Sequence, residues 1–136
     1  MKTNRKESDM TNEEKELLLK DLCARLPYRV MVHEDFTYFD GYKIVSNTQD
    51  TVLDTTVLDW LMAGAEEVKP YLRPMSSMTE EEKETYQMFF NEDDLLNTSI
   101  DTYLDWLLEG HFDFRGLIPK GLAIEAPEGM YNLKEK

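Results

Sequence analysis

Two closely spaced prolines, followed by a strong helix start, divide this chain into two parts. Pro70 and Pro74 lack an amide donor, and each keeps the residue before it out of helical angles. We therefore expect residues 68–78 to form a fixed, extended strap that belongs to the core. Thr79 is followed three residues later by Glu82, the spacing of a capping box, in which each side chain satisfies an unpaired amide. This pattern predicts a helix that begins immediately after Thr79.

A second capping box predicts a helix near the N-terminus. Thr11 and Glu14 have the required spacing, and apolar residues then recur at helical intervals until Pro27. We predict an amphipathic helix over residues 12–25, packed on the core through one stripe. The stripe comprises Leu18, Leu19, Leu22, Cys23 and Leu26. Residues 1–10 are polar and carry both charge signs, so we expect a disordered tail there.

Alternation with a period of two follows this helix and indicates β-strands. Val30 and Val32 would lie on one face of a short strand, which the polar residues 33–35 would end. Asp40 and Gly41 then suit a two-residue type I′ turn, in which both positions need positive φ. The sequence therefore predicts a tight hairpin.

The return strand is expected at residues 42–45, and a β-branched run follows it over residues 51–58. Residues 57–65 also fit a helix, because their apolar side chains recur at helical spacing. Between strand and helix, we predict a strand through about Leu58.

Two further helices are expected in the C-terminal half. The first, over residues 80–90, has few large apolar anchors and would dock by a narrow edge. The second follows a cap at Thr98 or Ser99 and ends at Gly110. Its apolar stripe comprises Ile100, Tyr103, Leu104, Leu107 and Leu108. Glycines and prolines then break up the remaining apolar clusters, which indicates an irregular packed tail.

The fold class that these elements predict is α+β. A small curved antiparallel sheet of three to four strands would be covered by the N-terminal helix and followed by two C-terminal helices and an irregular tail. A chain of 136 residues suits one core. We therefore predict a single domain over residues 11–136, made of a helix and β-rich core (11–78) and an acidic helical extension (79–136).

Negative charge is concentrated in the C-terminal half. The net charge is −13, and residues 76–115 contain eleven acids against two bases. Such a field repels phosphate backbones and anionic bilayers and favours a basic protein surface as partner. The acids that could form such a partner face are Glu80, Glu81, Glu84, Glu92, Asp93, Asp94, Asp101, Asp105 and Glu109.

Catalytic and metal-binding chemistry has little support in the sequence. Cys23, His33 and His111 are the only soft ligands, and a zinc site would need a fourth, such as Asp113. Cys23, His111 and Asp113 could form a nucleophilic arrangement, but burial on the apolar stripe would make the thiol inert. We therefore predict no enzyme, cofactor or metal site.

The sequence also bears on location. One cysteine cannot form an internal disulfide, and no apolar run approaches the roughly 18 residues that a membrane span needs. No secretory signal is recognisable at the N-terminus, so we expect a cytoplasmic protein that does not bind membranes.

Three segments carry a resemblance to a known group of proteins: KDLCARLPY at residues 20–28, VKPYLRPMSSMTEEEK at 68–83 and HFDFRGLIPKGLAIEAPEGMYN at 111–132. They resemble an uncharacterised family of short acidic proteins from gut anaerobes and their phages and mobile elements. The resemblance implies a variable β-rich middle and a common C-terminal segment, and it carries no functional residue over to this chain.

The function that these observations favour is that of a non-enzymatic binding or adaptor protein, of phage or mobile-element type by the resemblance. It would act through protein–protein contacts. One alternative is an acidic DNA mimic that inhibits a nucleic-acid-binding protein. The least favoured alternative is a small hydrolase or metal-binding protein that uses Cys23, His33 and His111.

Overall fold

The computed structural model describes residues 10–64, 66–89 and 100–131. Its helices are α1 (Asn12–Arg25), α2 (Thr55–Met62), α3 (Glu80–Met88) and α4 (Ile100–Glu109). Its strands are β1 (Met31–Phe39), β2 (Ile44–Val52), β3 (Glu66–Leu72) and β4 (Ile124–Glu125). The predicted tail lies outside the described residues except for Met10, as do the predicted caps Thr98 and Ser99 of α4.

The four strands form one curled sheet in the order β2-β1-β3-β4. β1 is antiparallel to both of its neighbours, whereas β3 and β4 run parallel. The predicted α+β class is confirmed. The sheet is mixed rather than purely antiparallel, because β4 comes from the C-terminal segment that we expected to be irregular throughout.

Both predicted capping boxes are present. The Thr11 hydroxyl accepts the Glu14 amide at 3.0 Å, and the Glu14 carboxylate accepts the Thr11 amide at 3.2 Å. Thr79 and Glu82 repeat the arrangement at 3.1 and 2.9 Å. Each box satisfies two otherwise unpaired amides, so α1 and α3 begin where the sequence indicated.

The hairpin differs from the prediction in two respects. β1 does not end at residues 33–35 but runs for nine residues, because the polar side chain of Glu34 is buried on the inner face of the sheet. Its turn is centred one residue later than expected, because Asp40 donates its amide to the Lys43 carbonyl at 3.1 Å. Only Gly41 has positive φ in this loop (φ 103°), so the type I′ assignment is wrong.

The predicted strand over residues 51–58 is also wrong beyond Val52. Asp54 accepts the Val57 amide at 3.0 Å and caps α2. The helix then buries Val57, Leu58 and Leu61, which recur at helical spacing. The helical alternative is therefore correct up to Met62, because a cap and a buried apolar face outweigh the strand preference of β-branched residues.

The first part of the expected strap, residues 68–72, belongs to the sheet strand β3, which alternates buried and partly exposed side chains, whereas Met75–Ser77 form a 3₁₀ turn instead of extended chain. Pro70 lies opposite Val32 of β1. The Val30 carbonyl accepts a hydrogen bond from the Leu53 amide, at the other end of the hairpin. In an antiparallel ladder every second residue of a strand points its backbone groups the same way, so those of Val32 also point towards β2. Pro70 therefore occupies a pair that needs no amide donor from β3, and the strand tolerates it.

Over the described part of the chain, buried apolar side chains form two clusters. The larger lies between the sheet, α1, α2 and the C-terminal segment, and the smaller surrounds Phe112 between α3 and α4. The buried members of the larger cluster are Leu18, Leu22, Val30, Val32, Leu53, Val57, Leu58, Leu61, Val68, Leu72, Leu117, Leu122 and Ala123. The C-terminal segment is thus packed into the core, as its apolar residues predicted.

A charged network is buried beside these clusters. Asp21 accepts hydrogen bonds from Arg25 at 2.6 Å and from Arg115 at 3.0 Å. Arg25 also donates to the Phe112 carbonyl at 2.7 Å, and its guanidinium lies over the Phe114 ring. The network joins α1 to the segment after α4, and neither side chain of the Asp21–Arg25 pair is exposed to solvent.

Candidate functional site

The tip of the β1–β2 hairpin projects beyond the sheet. Pairing of β1 with β3 stops at Phe36, whereas pairing with β2 continues to Phe39 opposite Ile44. Residues 37–46 therefore form a two-stranded ribbon that the rest of the described sheet does not support.

Large apolar side chains cover this ribbon. The exposed fraction is 93% for Tyr42, 69% for Ile44, 64% for Phe39 and 48% for Tyr38. Phe39 and Ile44 face each other on one side, while Tyr38 stacks on Phe36 on the other. A cluster of this kind on a folded protein typically marks a contact surface, because single exposed apolar residues are common but contiguous ones are not.

The loop that carries Tyr42 is held in place by hydrogen bonds. One carboxylate oxygen of Asp40 accepts the amides of Tyr42 at 2.9 Å and Lys43 at 3.0 Å. These bonds favour the ionised carboxylate and lower the pKa of Asp40 below its usual value. Because Asp40 fixes the loop, Tyr42 is presented on a defined backbone.

A polar cluster lies further along the outward face of the sheet. The Nδ1 atom of His33 lies 2.8 Å from Asp50, and the Tyr71 hydroxyl donates to the same Asp50 oxygen at 2.8 Å. These two contacts lower the pKa of Asp50, while burial and the bond to Asp50 raise that of Tyr71 to about 12. The Nε2 atom of His33 lies 3.4 Å from Asp35. Both ring nitrogens thus face carboxylates, an arrangement that links three strands and leaves no ring nitrogen aimed at a substrate.

His111 lies in a different environment. It has positive φ (61°), its ring stacks on Tyr131 at a centroid distance of 3.9 Å, and its Nδ1 atom is buried without a hydrogen-bond partner. Desolvation, followed by the positive charges of Arg25 and Arg73, lowers its pKa to about 4. His111 is therefore neutral at pH 7.

Cys23, which we expected to be buried on the apolar stripe of α1, is exposed. The buried face of α1 comprises Leu18, Asp21, Leu22 and Arg25, which turns Cys23 towards solvent. The expectation that burial makes this thiol inert is therefore wrong. The Asp113 carboxylate, its supposed partner, accepts the amides of Leu117 at 2.7 Å and Ile118 at 2.9 Å.

The candidate metal ligands belong to separate parts of the fold. Cys23 lies on α1, His33 on β1 and His111 in the turn after α4. Over residues 10–64, 66–89 and 100–131, no group of three or more histidine, cysteine, aspartate or glutamate side chains could hold a metal ion.

The predicted acidic face is exposed where it is described. Glu80, Glu81, Glu84, Asp101, Asp105 and Glu109 are all exposed, whereas Glu92, Asp93 and Asp94 lie outside the described residues. Two of these acids have partners: Lys83 lies 3.4 Å from Glu80, and the Tyr28 hydroxyl donates to Asp105 at 3.0 Å.

A cleft of about 280 Å³ lies between the end of β3 and the C-terminal segment. It is lined by residues that include Arg73, Glu125, Glu128 and Tyr131. Its arginine already forms two bonds to Glu82, at 2.6 and 3.0 Å, and lies over the Phe112 ring at 4.3 Å. The Arg73 guanidinium is therefore already paired within the fold.

Sequence reasoning located the hairpin but did not recognise its tip as a surface. The signal was present: Tyr38 and Phe39 are consecutive, so the two large side chains must lie on opposite faces of one strand. A strand that buries only one face needs large apolar side chains on that face alone.

No helix among the described residues is long and apolar enough to cross a membrane. Comparison with known proteins finds no matching family model, no matching curated protein and no matching solved structure.

Proposed function

We propose that this chain is a non-enzymatic binding protein that contacts another protein through the aromatic tip of its β1–β2 hairpin. One observation supports the proposal above all others: Tyr42 is 93% exposed on a loop whose amides at Tyr42 and Lys43 are bonded to the Asp40 carboxylate. Phe39 and Ile44 extend the apolar surface on the ribbon behind it.

The physical basis is the energetics of protein interfaces. Aromatic side chains are enriched at the centres of interfaces, where a few buried anchors supply most of the affinity. A tyrosine has few rotatable bonds, so its immobilisation costs little entropy. A loop held by Asp40 would further reduce the ordering cost of binding.

A pair of matched variants tests the proposal. Phe39→Ser with Tyr42→Ser removes the anchors of the tip, whereas Trp60→Ser with Met62→Ser removes exposed apolar side chains from α2. Both pairs lie outside the buried clusters, so both variants should keep the wild-type unfolding midpoint.

Immobilised wild-type protein and the α2 variant are expected to retain the same host protein from a cell lysate. The tip variant should retain at least tenfold less of it. If both variants retained the host protein equally well, the hairpin tip would not be the binding surface. If both lost it equally, the capture would be non-specific adhesion to apolar side chains.

The acidic surface supports a second candidate function, contact with a basic protein. Glu80, Glu81 and Glu84 on α3 are exposed, and the only base of that helix, Lys83, lies beside Glu80. A DNA mimic would use the same carboxylates against a nucleic-acid-binding protein. This candidate also has no cofactor and no direct contact with nucleic acid.

Charge and apolar contacts can be separated experimentally. Replacing Glu80, Glu81 and Glu84 by glutamine should abolish capture that is sensitive to moderate salt, since screening weakens exposed charge pairs. Capture through the tip should persist. Recovery of basic nucleic-acid-binding proteins by wild type alone would favour mimicry.

The biological origin and cellular location of the chain are part of the proposal. The three resembling segments support a phage or mobile-element origin. A cytoplasmic location would keep the exposed thiol of Cys23 reduced.

A further inference from the structure

β2 is one of the two outermost strands of the sheet, and no described residue pairs with the backbone of its outer edge. Among the residues that the structure describes, it pairs with β1 alone. Its sequence, IVSNTQDTV, contains no proline, glycine, lysine or arginine, and its register with β1 is continuous from Ile44 to Val52. Proteins usually blunt such edges with prolines, lysines or bulges, because a bare row of amides and carbonyls pairs with other strands.

The hydrogen bonds at the two ends of the hairpin show which groups face that edge. The Asp40 amide bonds the Lys43 carbonyl, and the Leu53 amide bonds the Val30 carbonyl. In an antiparallel ladder such pairs alternate with pairs whose backbone groups point away from each other. Both ends give the same alternation. The residues whose backbone groups point away from β1 are Ile44, Ser46, Thr48, Asp50 and Val52.

These five residues are self-complementary about Thr48. A second copy of β2 running antiparallel, with Thr48 opposite Thr48, would place Ile44 against Val52 and Ser46 against Asp50. The intervening residues would match as well, with Val45 against Thr51 and Asn47 against Gln49. Aliphatic or β-branched residues then lie opposite one another, as do the two side-chain amides. Every side chain stays on its own face of the sheet.

We propose that two copies of this chain associate through their β2 edges, antiparallel about Thr48, to form one continuous eight-stranded sheet. The five outward residues of each copy would provide about ten backbone hydrogen bonds across the two-fold axis. The proposal does not depend on the binding function of the hairpin tip.

Charge distribution favours this edge for self-association. The chain carries a net charge of −13, yet Asp50 is the only charged residue of β2. In the proposed register it lies opposite Ser46, and the two Asp50 residues are four positions apart, roughly 14 Å. Because two chains of like net charge repel at long range, added salt should strengthen the association.

One intramolecular bond must be exchanged. The Thr48 amide donates to the side-chain oxygen of Asn47 at 2.9 Å. On pairing, this amide would instead donate to the Thr48 carbonyl of the second copy.

Light scattering coupled to size-exclusion chromatography tests the association directly. The full chain is expected to shift with concentration from 16.0 kDa to twice that mass. Thr48→Lys places two ammonium groups opposite each other on the axis and should raise the dimer dissociation constant at least tenfold. Thr56→Lys, an exposed change on α2, should leave it unchanged. A wild-type mass of one chain up to several hundred micromolar would overturn the proposal.

Disulfide cross-linking tests the register. In a Cys23→Ser background, Thr48→Cys should form a covalent dimer under mild oxidation, because opposed residues have Cα atoms about 5.5 Å apart. Ser46→Cys lies on the same strand and face but about 14 Å from its copy, so it should not cross-link. A dimer that cross-links equally through both positions would refute the pairing about Thr48.

Discussion

Removal of the Asp21 carboxylate should be among the most damaging substitutions in this chain. The side chains of Asp21 and Arg25 are fully buried and lie 2.6 Å apart. Asp21→Ala would leave the guanidinium of Arg25 in the core with only the Phe112 carbonyl and the Phe114 ring as neighbours of opposite polarity. Breaking a buried ion pair on one side typically costs about 3–5 kcal/mol, a large part of a domain's total stability of about 5–15 kcal/mol.

Urea unfolding followed by circular dichroism measures this cost. With a slope of about 1.5 kcal/mol per molar urea, the midpoint should fall by about 2–3 M. Glu80→Ala, which removes the 90% exposed partner of Lys83, should leave the midpoint unchanged and serves as the control.

A double variant separates the cost of an unpaired charge from that of lost packing. Asp21→Leu with Arg25→Met replaces both buried charges by apolar groups, and we expect it to recover most of the lost stability. A midpoint shift below about 0.5 M for Asp21→Ala, or no recovery in the double variant, would refute the argument from buried charge.

The remaining predictions concern Cys23, Gly41, His111 and β3. Because Cys23 is exposed, a thiol reagent should label the native protein nearly as fast as the unfolded chain, and strong protection would contradict this. Gly41→Val should lower the free energy of unfolding by more than about 1 kcal/mol, since a β-branched residue resists φ near 103°; unchanged thermal unfolding would argue against it. The pKa of His111 is about 4 in the folded chain against an ordinary 6.5, so the unfolded chain takes up its proton first. Stability should then fall by at most about 3 kcal/mol as pH drops from 6.5 to 4, and His111→Phe should abolish that part of the slope in urea titrations. Limited proteolysis should spare β3, which is paired on both sides, and early cleavage at Lys69 or Arg73 would show that it opens.

Local signals predicted the starts of α1 and α3 correctly. Thr11 and Thr79 act on amides three residues away, so their effect is encoded in a few consecutive residues. The alternation of Val30 and Val32 likewise reports burial on one face, and both residues are buried.

The errors arose where distant parts of the chain decide the outcome. On α1 the buried face includes Asp21 and Arg25, whose partners Phe112 and Arg115 lie about 90 residues later. A hydrophobic stripe drawn from leucines alone is therefore displaced, and it wrongly places Cys23 inside.

A similar cause explains the missed strand β3. Proline normally argues against a central strand, and only the register with β1 shows that Pro70 falls where no amide is required. At the hairpin tip, the consecutive Tyr38 and Phe39 indicate a large side chain on each face of β1. That both stay uncovered depends on where the pairing with β3 ends, which the residues of the hairpin do not encode.

The hydroxyl of Tyr131 accepts the Met31 amide at 2.9 Å and donates to the Tyr71 carbonyl at 2.7 Å. During synthesis, roughly 5–20 s separate Met31 from Tyr131 at the usual ~5–20 residues per second. For most of that interval Arg25 also lacks the Phe112 carbonyl, which accepts its hydrogen bond in the complete fold. The nascent N-terminal half therefore cannot complete the pairing of its charged helix face and of the start of β1 until the C-terminal segment has been synthesised.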